Sequence, residues 1–237
     1  LALARTATPG WFAPDRNDPD LGASLDDRLA ELARRIGALH PDAGLHLVGF
    51  SLGAMIALRL APLLGARVSR IDLISAAAPL EGGNFLPHMA GRAVFGLARR
   101  WPRLFALLAG GQSYLARIAP RWLARQLFAT ARGEDLALAR SDAFVNGIAA
   151  TLRDGLGRSS LGYRAEIAGY VEPWADKLAL VGAPVTLWQG SADDWTPPEM
   201  AEYLAQSVPN LAAVHRLEGH SHYSALGEAL AHLSLNR

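Results

Sequence analysis

Residues 45–65 read LHLVGFSLGAMIALRLAPLLG, and they combine two different patterns on either side of Ser51. The run before the serine is short and apolar, which is typical of a strand buried on both faces of a sheet. The run after it is longer and apolar, and Gly65 stands where a helix of that length would end. The stretch therefore predicts a strand, a tight turn at Ser51 and a helix.

The turn has the spacing G-x-S-x-G, from Gly49 to Gly53. A serine on such a turn is held in a strained backbone conformation, and small residues two positions before and after it let strand and helix pass closely. The hydroxyl then projects at the start of a helix, where the N–H of Leu52 and the helix dipole stabilise a developing oxyanion. We interpret Ser51 as a nucleophile; the alternative is a packing turn with an idle serine.

A serine nucleophile needs a histidine to take its proton and an acid to orient that histidine. The apolar run AAVHRLE is followed by His220 and His222. We take His220 as the base, with His222 as its rival. The run VTLWQG is followed by Asp193 and Asp194, which are alternatives for the acid. Glu81, after the earlier run VSRIDLISAA, is a third candidate acid.

Strands and helices alternate along the rest of the chain. Ser24 resembles a helix N-cap, with Asp26 and Asp27 in the first turn of an amphipathic helix. The runs VSRIDLISAA, VTLWQG and AAVHRLE are interpreted as further strands. Strands that alternate with helices predict an α/β fold, with a mostly parallel sheet and flanking helices.

The strand pattern stops in residues 80–177, where amphipathic helices replace it. We therefore predict a core of residues 1–79 and 178–237, with the insertion as a helical cap or lid. From Gly82 to Gly133 there are eight arginines, interleaved with large apolar side chains, and no acidic residue. This segment either covers an apolar acyl pocket and attracts an anionic head group or membrane surface, or packs its apolar side on the sheet with the arginines in solvent. We favour packing on the sheet.

Composition excludes several classes of protein. The chain has 237 residues, of which 51% are hydrophobic and 19% charged, so it is long and apolar enough for a globular core. A formal net charge of +1 gives no general attraction to nucleic acid. The absence of cysteine excludes disulfides and thiolate chemistry. The two aspartates and two histidines named above also form an alternative metal cluster, but the serine turn explains their placement, so we expect no metal and no cofactor.

Three of these blocks resemble the α/β-hydrolase superfamily, in particular its capped serine esterase and peptidase-like branch. LHLVGFSLGAMIALRLA is similar to the family's nucleophile block, WQGSADDWTP to its acid block and LEGHSHY to its histidine block. The spacing G-x-x-D-x-x-T-P, from Gly190 to Pro197, matches the family's acid motif and favours Asp193 over Asp194. The resemblance implies a helical cap over the active site and a return to the sheet at GYRAEIAGYVEPWADKL.

The activity that the resemblance implies is hydrolysis of a carboxylic ester of a small acyl substrate without a cofactor. Ser51 would attack the carbonyl, His220 would shuttle the proton and Asp193 would orient His220. Phe50 and Trp195, beside the serine and the acid, are the expected substrate contacts. Alternatives are amide or carbon–carbon bond hydrolysis, or acyl transfer, with the same triad, and a non-catalytic ligand-binding protein on the same fold.

The front of the chain departs from the family pattern. Only 50 residues precede Ser51, whereas relatives usually have several strands and an oxyanion loop, often HG-type, before this point. We expect that N-terminal strands are missing; the alternative is that the loop from Thr8 to Phe12 supplies the second oxyanion donor. The opening LALARTATPGW lacks the features of a targeting signal, and no run reaches transmembrane length, so we expect a soluble, cytoplasmic protein.

Overall fold

The computed structural model describes residues 12–41 and 44–235. Within them lies one sheet of four parallel strands in the order β1 (Leu45–Phe50), β2 (Val68–Ile74), β3 (Val185–Gly190) and β4 (Leu211–Leu217). The opening segment LALARTATPGW, and with it most of the loop considered as an oxyanion donor, lies outside the described residues. The predicted α/β class with a parallel sheet is confirmed.

Ten α-helices accompany the strands within the described residues. They are α1 (Leu25–Leu39), α2 (Leu52–Leu64), α3 (Arg92–Arg100), α4 (Pro102–Ile118), α5 (Pro120–Leu127), α6 (Asp135–Arg140), α7 (Asp142–Leu152), α8 (Leu161–Val171), α9 (Pro198–Ser207) and α10 (His222–Leu235). Helix α2 connects β1 to β2, α9 connects β3 to β4, and α3 to α8 all lie between β2 and β3. A run of helices therefore separates β2 from β3 along the chain, in the region where the sequence predicted a helical insertion, although the two strands are neighbours in the sheet. The status of this insertion as a separate cap stays a prediction.

Helix α1 begins where the sequence indicated. The side chain of Ser24 accepts a hydrogen bond from the backbone N–H of Asp27, and the Asp27 carboxylate accepts one from the backbone N–H of Ser24. This reciprocal capping box satisfies donors that a helix start leaves without an intrahelical partner. Leu25, Leu29 and the later apolar residues of this face enter the core, except that Leu39 at the end of the helix is exposed.

The sheet is covered on both faces. The larger cluster of buried side chains includes residues from α1, α2 and α9 together with Ile71, Leu73 and Leu187 of the central strands. The smaller cluster joins Ile74 and Trp188 to side chains of α10. From Ile71 onward β2 is buried on both faces, and β3 is buried along most of its length, as expected for the central strands of a parallel sheet. Ser69 and Arg70, near the start of β2, are exposed.

The strand ends determine where polar groups meet. Ser51 follows β1, Ser75 follows β2, Asp193 follows β3 and His222 follows β4. Parallel strands all end at the same edge of a sheet, so these four residues come together although 171 positions separate the first from the last by their residue numbers. This edge is the place to look for a functional site.

Candidate active site

Ser51 occupies the turn between β1 and α2 with φ 57° and ψ −125°. A positive φ is strained for a residue with a side chain, and the surrounding backbone holds it in place. The N–H of Ser51 donates to the carbonyl of Ile74 at 3.0 Å, and the carbonyl of Ser51 accepts from Ala54 at 3.0 Å and Ala77 at 3.2 Å. Ser51 is partly exposed. The turn has the geometry that the G-x-S-x-G spacing predicted.

The two glycines of the motif have different surroundings. A Cβ at Gly49 would lie 2.6 Å from the carbonyl oxygen of Gly53 and 2.7 Å from Cα of Ala54. A Cβ at Gly53 would meet nothing within 4 Å outside its own helix. The expectation that both positions must be small for strand and helix to pass closely therefore holds for Gly49 and is wrong for Gly53.

Leu52, the expected oxyanion donor, is the first residue of α2. The first N–H groups of a helix have no intrahelical acceptor, and the helix dipole makes this end favourable for negative charge. Leu52 also packs against the buried cluster of Ala98, Phe105 and Ala109 from α3 and α4. The insertion thus contacts the residue that follows the serine. Of the Thr8 to Phe12 loop, only Phe12 is described, and it is exposed.

Asp193 is held in a buried turn after β3. Its Oδ1 accepts from the backbone N–H groups of Trp195 at 2.9 Å and Thr196 at 3.0 Å, and its Oδ2 accepts from the Thr196 hydroxyl at 3.0 Å. Oδ2 also lies 2.9 Å from Nδ1 of His222. Thr196 therefore holds the Asp193 carboxylate and does not cap α9, which begins at Pro198 without a side-chain cap.

The environment of Asp193 favours its ionised form. Burial acts to raise the pKa of Asp193, but the neighbouring His222 and the hydrogen bonds from His222, Thr196 and Ser75 more than offset it, so the pKa lies below its ordinary value. An ionised carboxylate accepts a hydrogen bond from Nδ1–H of His222, which leaves Nε2 as the nitrogen with a free lone pair. A neutral histidine in this tautomer can accept a proton.

His222 lies between aromatic rings. The ring of Phe50 is 4.6 Å from the imidazole, centroid to centroid, and the ring of Trp195 stacks on it at 5.8 Å. Tyr223 meets the imidazole edge to face at 5.4 Å. Because Phe50 directly precedes Ser51, its contact brings the imidazole next to the serine turn. The structure thus places both expected substrate contacts, Phe50 and Trp195, against this histidine.

The structure does not bring His220 to Asp193. Nδ1 of His220 lies 3.1 Å from the carbonyl oxygen of Glu218, and its Nε2 lies 3.3 Å from Oε2 of Glu134. His220 also lines a surface cavity of about 440 Å³ whose lining does not include Asp193 or Ser51. The expected pairing of His220 with Asp193 is therefore wrong, and His222, the alternative histidine, pairs with Asp193 instead. The loop ends at Ser221, and α10 turns the next residue inward.

The other two candidate acids have different partners. Asp194 forms an ion pair with Arg132 at 3.1 Å, and burial is the main cause that raises its pKa above the ordinary value. Glu81 accepts hydrogen bonds from the backbone N–H groups of Trp174 at 2.6 Å and Ala175 at 2.7 Å. Glu81 thus anchors the segment by which the chain returns to the sheet.

Ser75 is a site residue that the sequence analysis did not identify. It is fully buried with φ 44°, and its hydroxyl donates to the carbonyl of His222 at 3.3 Å. The same hydroxyl is among the groups that lower the pKa of Asp193. Its position along the chain could have indicated this role, because Ser75 follows β2 directly, as Ser51 follows β1, and parallel strands end at the same edge of the sheet.

The segment Arg132–Asp135 of the insertion contacts the loop after β3, at Asp194, and the loop after β4, at Gly219. The Asp135 carboxylate accepts from the N–H groups of Tyr223 at 3.0 Å and Ser224 at 2.7 Å, the first turn of α10. The N–H of Glu134 donates to the carbonyl of Gly219 at 3.0 Å. Asp135 is 2% exposed. It caps the helix that begins with His222, from 87 positions upstream in the numbering, and no local sequence pattern reveals such a distant cap.

Among the described residues, no three histidine, aspartate or glutamate side chains are grouped as a metal site requires. The alternative metal cluster of two aspartates and two histidines is not formed. Asp193 pairs with His222, while Asp194 pairs with Arg132 and His220 with Glu134.

A strained serine after one strand and a buried aspartate–histidine pair after two later strands define an α/β protein of the hydrolase type. The model of the alpha/beta hydrolase family matches residues 2–232 of this chain. The chain therefore belongs to the alpha/beta hydrolase family.

Solved structures with the same fold have low sequence identity to the chain. A bromoperoxidase from Bacillus anthracis is 17% identical with a TM-score of 0.63, over 93% of this chain and 77% of that one. An esterase from Exiguobacterium antarcticum is 19% identical with a TM-score of 0.59, over 92% and 74%. An enol-lactonase from Burkholderia xenovorans LB400 is 15% identical with a TM-score of 0.60, over 90% and 71%. These similarities establish the fold. No curated protein matches the chain.

Proposed function

We propose that this chain is a serine hydrolase that cleaves a carboxylic ester through an acyl-enzyme, with Ser51 as nucleophile, His222 as base and Asp193 as the orienting acid. The observation that carries the proposal is the buried contact of 2.9 Å between Nδ1 of His222 and Oδ2 of Asp193. It lies beside the strained turn of Ser51. A hydroxyl on a tight turn, a neutral imidazole and a buried carboxylate together perform acyl transfer without a cofactor.

The chemical steps follow from this arrangement. Nε2 of His222 takes the proton of the Ser51 hydroxyl while the oxygen attacks the ester carbonyl, and the N–H of Leu52 stabilises the oxyanion. The imidazolium then gives its proton to the departing alkoxide, which leaves as the alcohol. Water, deprotonated by the same imidazole, releases the carboxylic acid and restores Ser51. Asp193 remains ionised throughout and stabilises the imidazolium.

Asp135 supports this machinery from the insertion. Its two hydrogen bonds to the first turn of α10 fix the backbone at Tyr223 and Ser224, directly after His222. Because the imidazole must stay within hydrogen-bonding reach of both the acid and the serine, small shifts of this backbone lower turnover. In this proposal Asp135 is a positioning residue, and Ser75 has the same role at the carbonyl of His222.

The proposal is tested with a series of p-nitrophenyl esters of increasing acyl length. Ser51→Ala should lower kcat/KM by at least about ten-thousandfold on every ester that the unaltered protein cleaves. Ser69→Ala is the matched control, because Ser69 is exposed on the same sheet, at the start of β2. Among the described residues its hydroxyl bonds only the carbonyl of Leu45, at 3.0 Å. Undiminished hydrolysis by Ser51→Ala would refute the assignment of the nucleophile.

A further inference from the structure

Helix α4 has one buried face and one exposed apolar face. Phe105, Ala109 and Ala116 are buried against the rest of the insertion. The opposite face exposes large apolar side chains at helical spacing, and exposed tryptophans lie just before α4 and within α5. We call these residues the apolar stripe: Trp101, Leu104, Leu107, Leu108, Tyr114, Ile118 and Trp122. Leu107 is 75% exposed. The expectation that the apolar side of this segment packs on the sheet is therefore wrong for the stripe.

The arginines of α4 form no ion pair among the described residues, whereas Arg121 and Arg125 of α5 pair with Asp142. No acidic residue occurs from Gly82 to Gly133. Arg103 and Arg117 lie on α4 itself, and both are exposed. The guanidinium of Arg117 lies 5.5 Å from the ring centroid of Tyr114, within the stripe. Exposed apolar residues that are bordered by arginines complement a surface with negative charge outside and hydrocarbon beneath.

A small basic pocket borders the stripe at Tyr114. It has a volume of about 210 Å³ and is lined by Ser113, Tyr114, Arg117 and Arg158, with the backbone of Gly110 and Gly157. Arg158 also bonds Oδ2 of Asp15 at 3.0 Å, so part of its charge is already balanced. The guanidinium of Arg117 and the hydroxyl of Tyr114 are groups that bind a phosphate, whereas the Ser113 hydroxyl donates to the carbonyl of Leu156 at 2.7 Å.

From these observations we infer that the apolar stripe and its arginines bind the surface of an anionic phospholipid bilayer. Leucines at 104, 107 and 108 enter the acyl boundary, tryptophans at the ends of the stripe lie at head-group level, and the arginines contact phosphates. A protein partner with an apolar groove would satisfy the leucines but would leave the positive charge of Arg103 and Arg117 without a counter-charge. None of the described helices is long and apolar enough to span a membrane, so the binding is peripheral.

The stripe lies on the outer side of the helices that cover the serine turn. The inner sides of α3 and α4 form the cluster that packs on Leu52. A bilayer bound at the stripe is therefore separated from the proposed catalytic serine by one layer of helices. The inference goes beyond the proposed function and does not depend on it, because binding is measured without hydrolysis.

Co-sedimentation of the full chain with vesicles tests the inference. We expect binding to an equal mixture of phosphatidylglycerol and phosphatidylcholine, weakening as salt is raised, and little binding to phosphatidylcholine alone. Exchanging Leu104 and Leu107 for serine should weaken binding by at least about tenfold. Exchanging Arg103 and Arg117 for glutamine should weaken it by about fivefold for each arginine. Both pairs are exposed, so circular dichroism should show an unchanged fold.

The matched control exchanges Leu39 and Leu63 for serine, since these leucines are similarly exposed, on α1 and α2. This pair should bind the vesicles as the unaltered chain does. Equal loss in the control, equal binding to both kinds of vesicle, or no binding at all would overturn the inference. So would a dimer that forms without lipid and is lost in the Leu104 and Leu107 variant, because the stripe would then be an interface between two copies.

Discussion

Nδ1 of His222 lies 2.9 Å from Oδ2 of Asp193, and the two side chains are 3% and 0% exposed. A buried pair of this kind excludes water from the contact and strengthens its electrostatic component. It also leaves only Nε2 for proton exchange with a neighbour. The proposed acid and base are thus held together in the structure without a substrate.

The two adjacent aspartates should differ sharply in their contribution to turnover. Asp193→Asn keeps the size of the side chain but loses the charge and favours the wrong tautomer of His222, so kcat should fall by about ten-thousandfold. Asp194→Asn removes an ion pair with the exposed Arg132 and should change kcat by less than about tenfold. Steady-state kinetics on the best ester measures both. Equal losses in the two variants would contradict the assignment of the acid.

The two glycines of the serine turn should also differ. Gly49→Ala places a Cβ against the backbone of Gly53 and Ala54, and should lower the free energy of unfolding by about 1–3 kcal/mol. Gly53→Ala meets open space at the start of α2 and should leave stability unchanged or raise it by up to about 1 kcal/mol. Urea unfolding distinguishes them. A larger loss of stability in Gly53→Ala than in Gly49→Ala would contradict the finding that Gly49 is the crowded position.

Asp135 should affect turnover more than substrate binding. Asp135→Ala leaves the N–H groups of Tyr223 and Ser224 without their acceptor and should lower kcat by about tenfold, with KM little changed. Asp135→Asn keeps one acceptor and should recover part of the loss. Glu134→Gln, which alters only the exposed partner of His220, is the control. A folded Asp135→Ala variant with unchanged kcat would show that the cap does not position His222.

Another buried carboxylate, that of Asp72 in the middle of β2, should contribute to acid stability. Asp72 accepts a hydrogen bond from Nε1 of Trp188 at 2.8 Å and lies 2.6 Å from Nε2 of His46. Burial acts to raise the pKa of Asp72, but these hydrogen bonds and the charges of His46 and Arg70 lower it below its ordinary value. The stabilisation is therefore present above the unfolded pKa of about 4 and is lost as pH falls through the folded pKa.

Asp72→Asn should remove this pH dependence. The free energy of unfolding of the unaltered chain, measured with urea, should fall as pH drops below about 4. The variant should be less stable by about 1–3 kcal/mol at neutral pH, and its free energy of unfolding should depend less on pH. Asp20→Asn is the control, since Asp20 is exposed. Parallel curves for the unaltered chain and Asp72→Asn would contradict the account.

The sequence predicted the elements around Ser51 because local patterns determine them. The strand at 45–50, the helix that ends before Gly65 and the strand at 185–190 all have the bounds that apolar runs and glycines indicate. The positions of Ser51 and Asp193 at the sheet edge follow from the parallel order of the strands.

The choice between His220 and His222 could not be made from spacing alone. Both follow β4 within a few residues, and the choice depends on where α10 begins. That start is fixed by Asp135, which belongs to a distant helix of the insertion. The exposure of the apolar stripe could not be predicted either, because periodicity shows that a helix has an apolar face but not whether another element covers that face.

Labelling with a fluorophosphonate, followed by mass spectrometry of the modified peptide, tests the central claim most directly. The account predicts an adduct on Ser51 that forms at nearly the same rate in the unaltered chain and in His220→Ala. In His222→Ala the adduct should form at least about a hundredfold more slowly. Labelling that is lost in His220→Ala but kept in His222→Ala, or an adduct on a residue other than Ser51, would contradict the account.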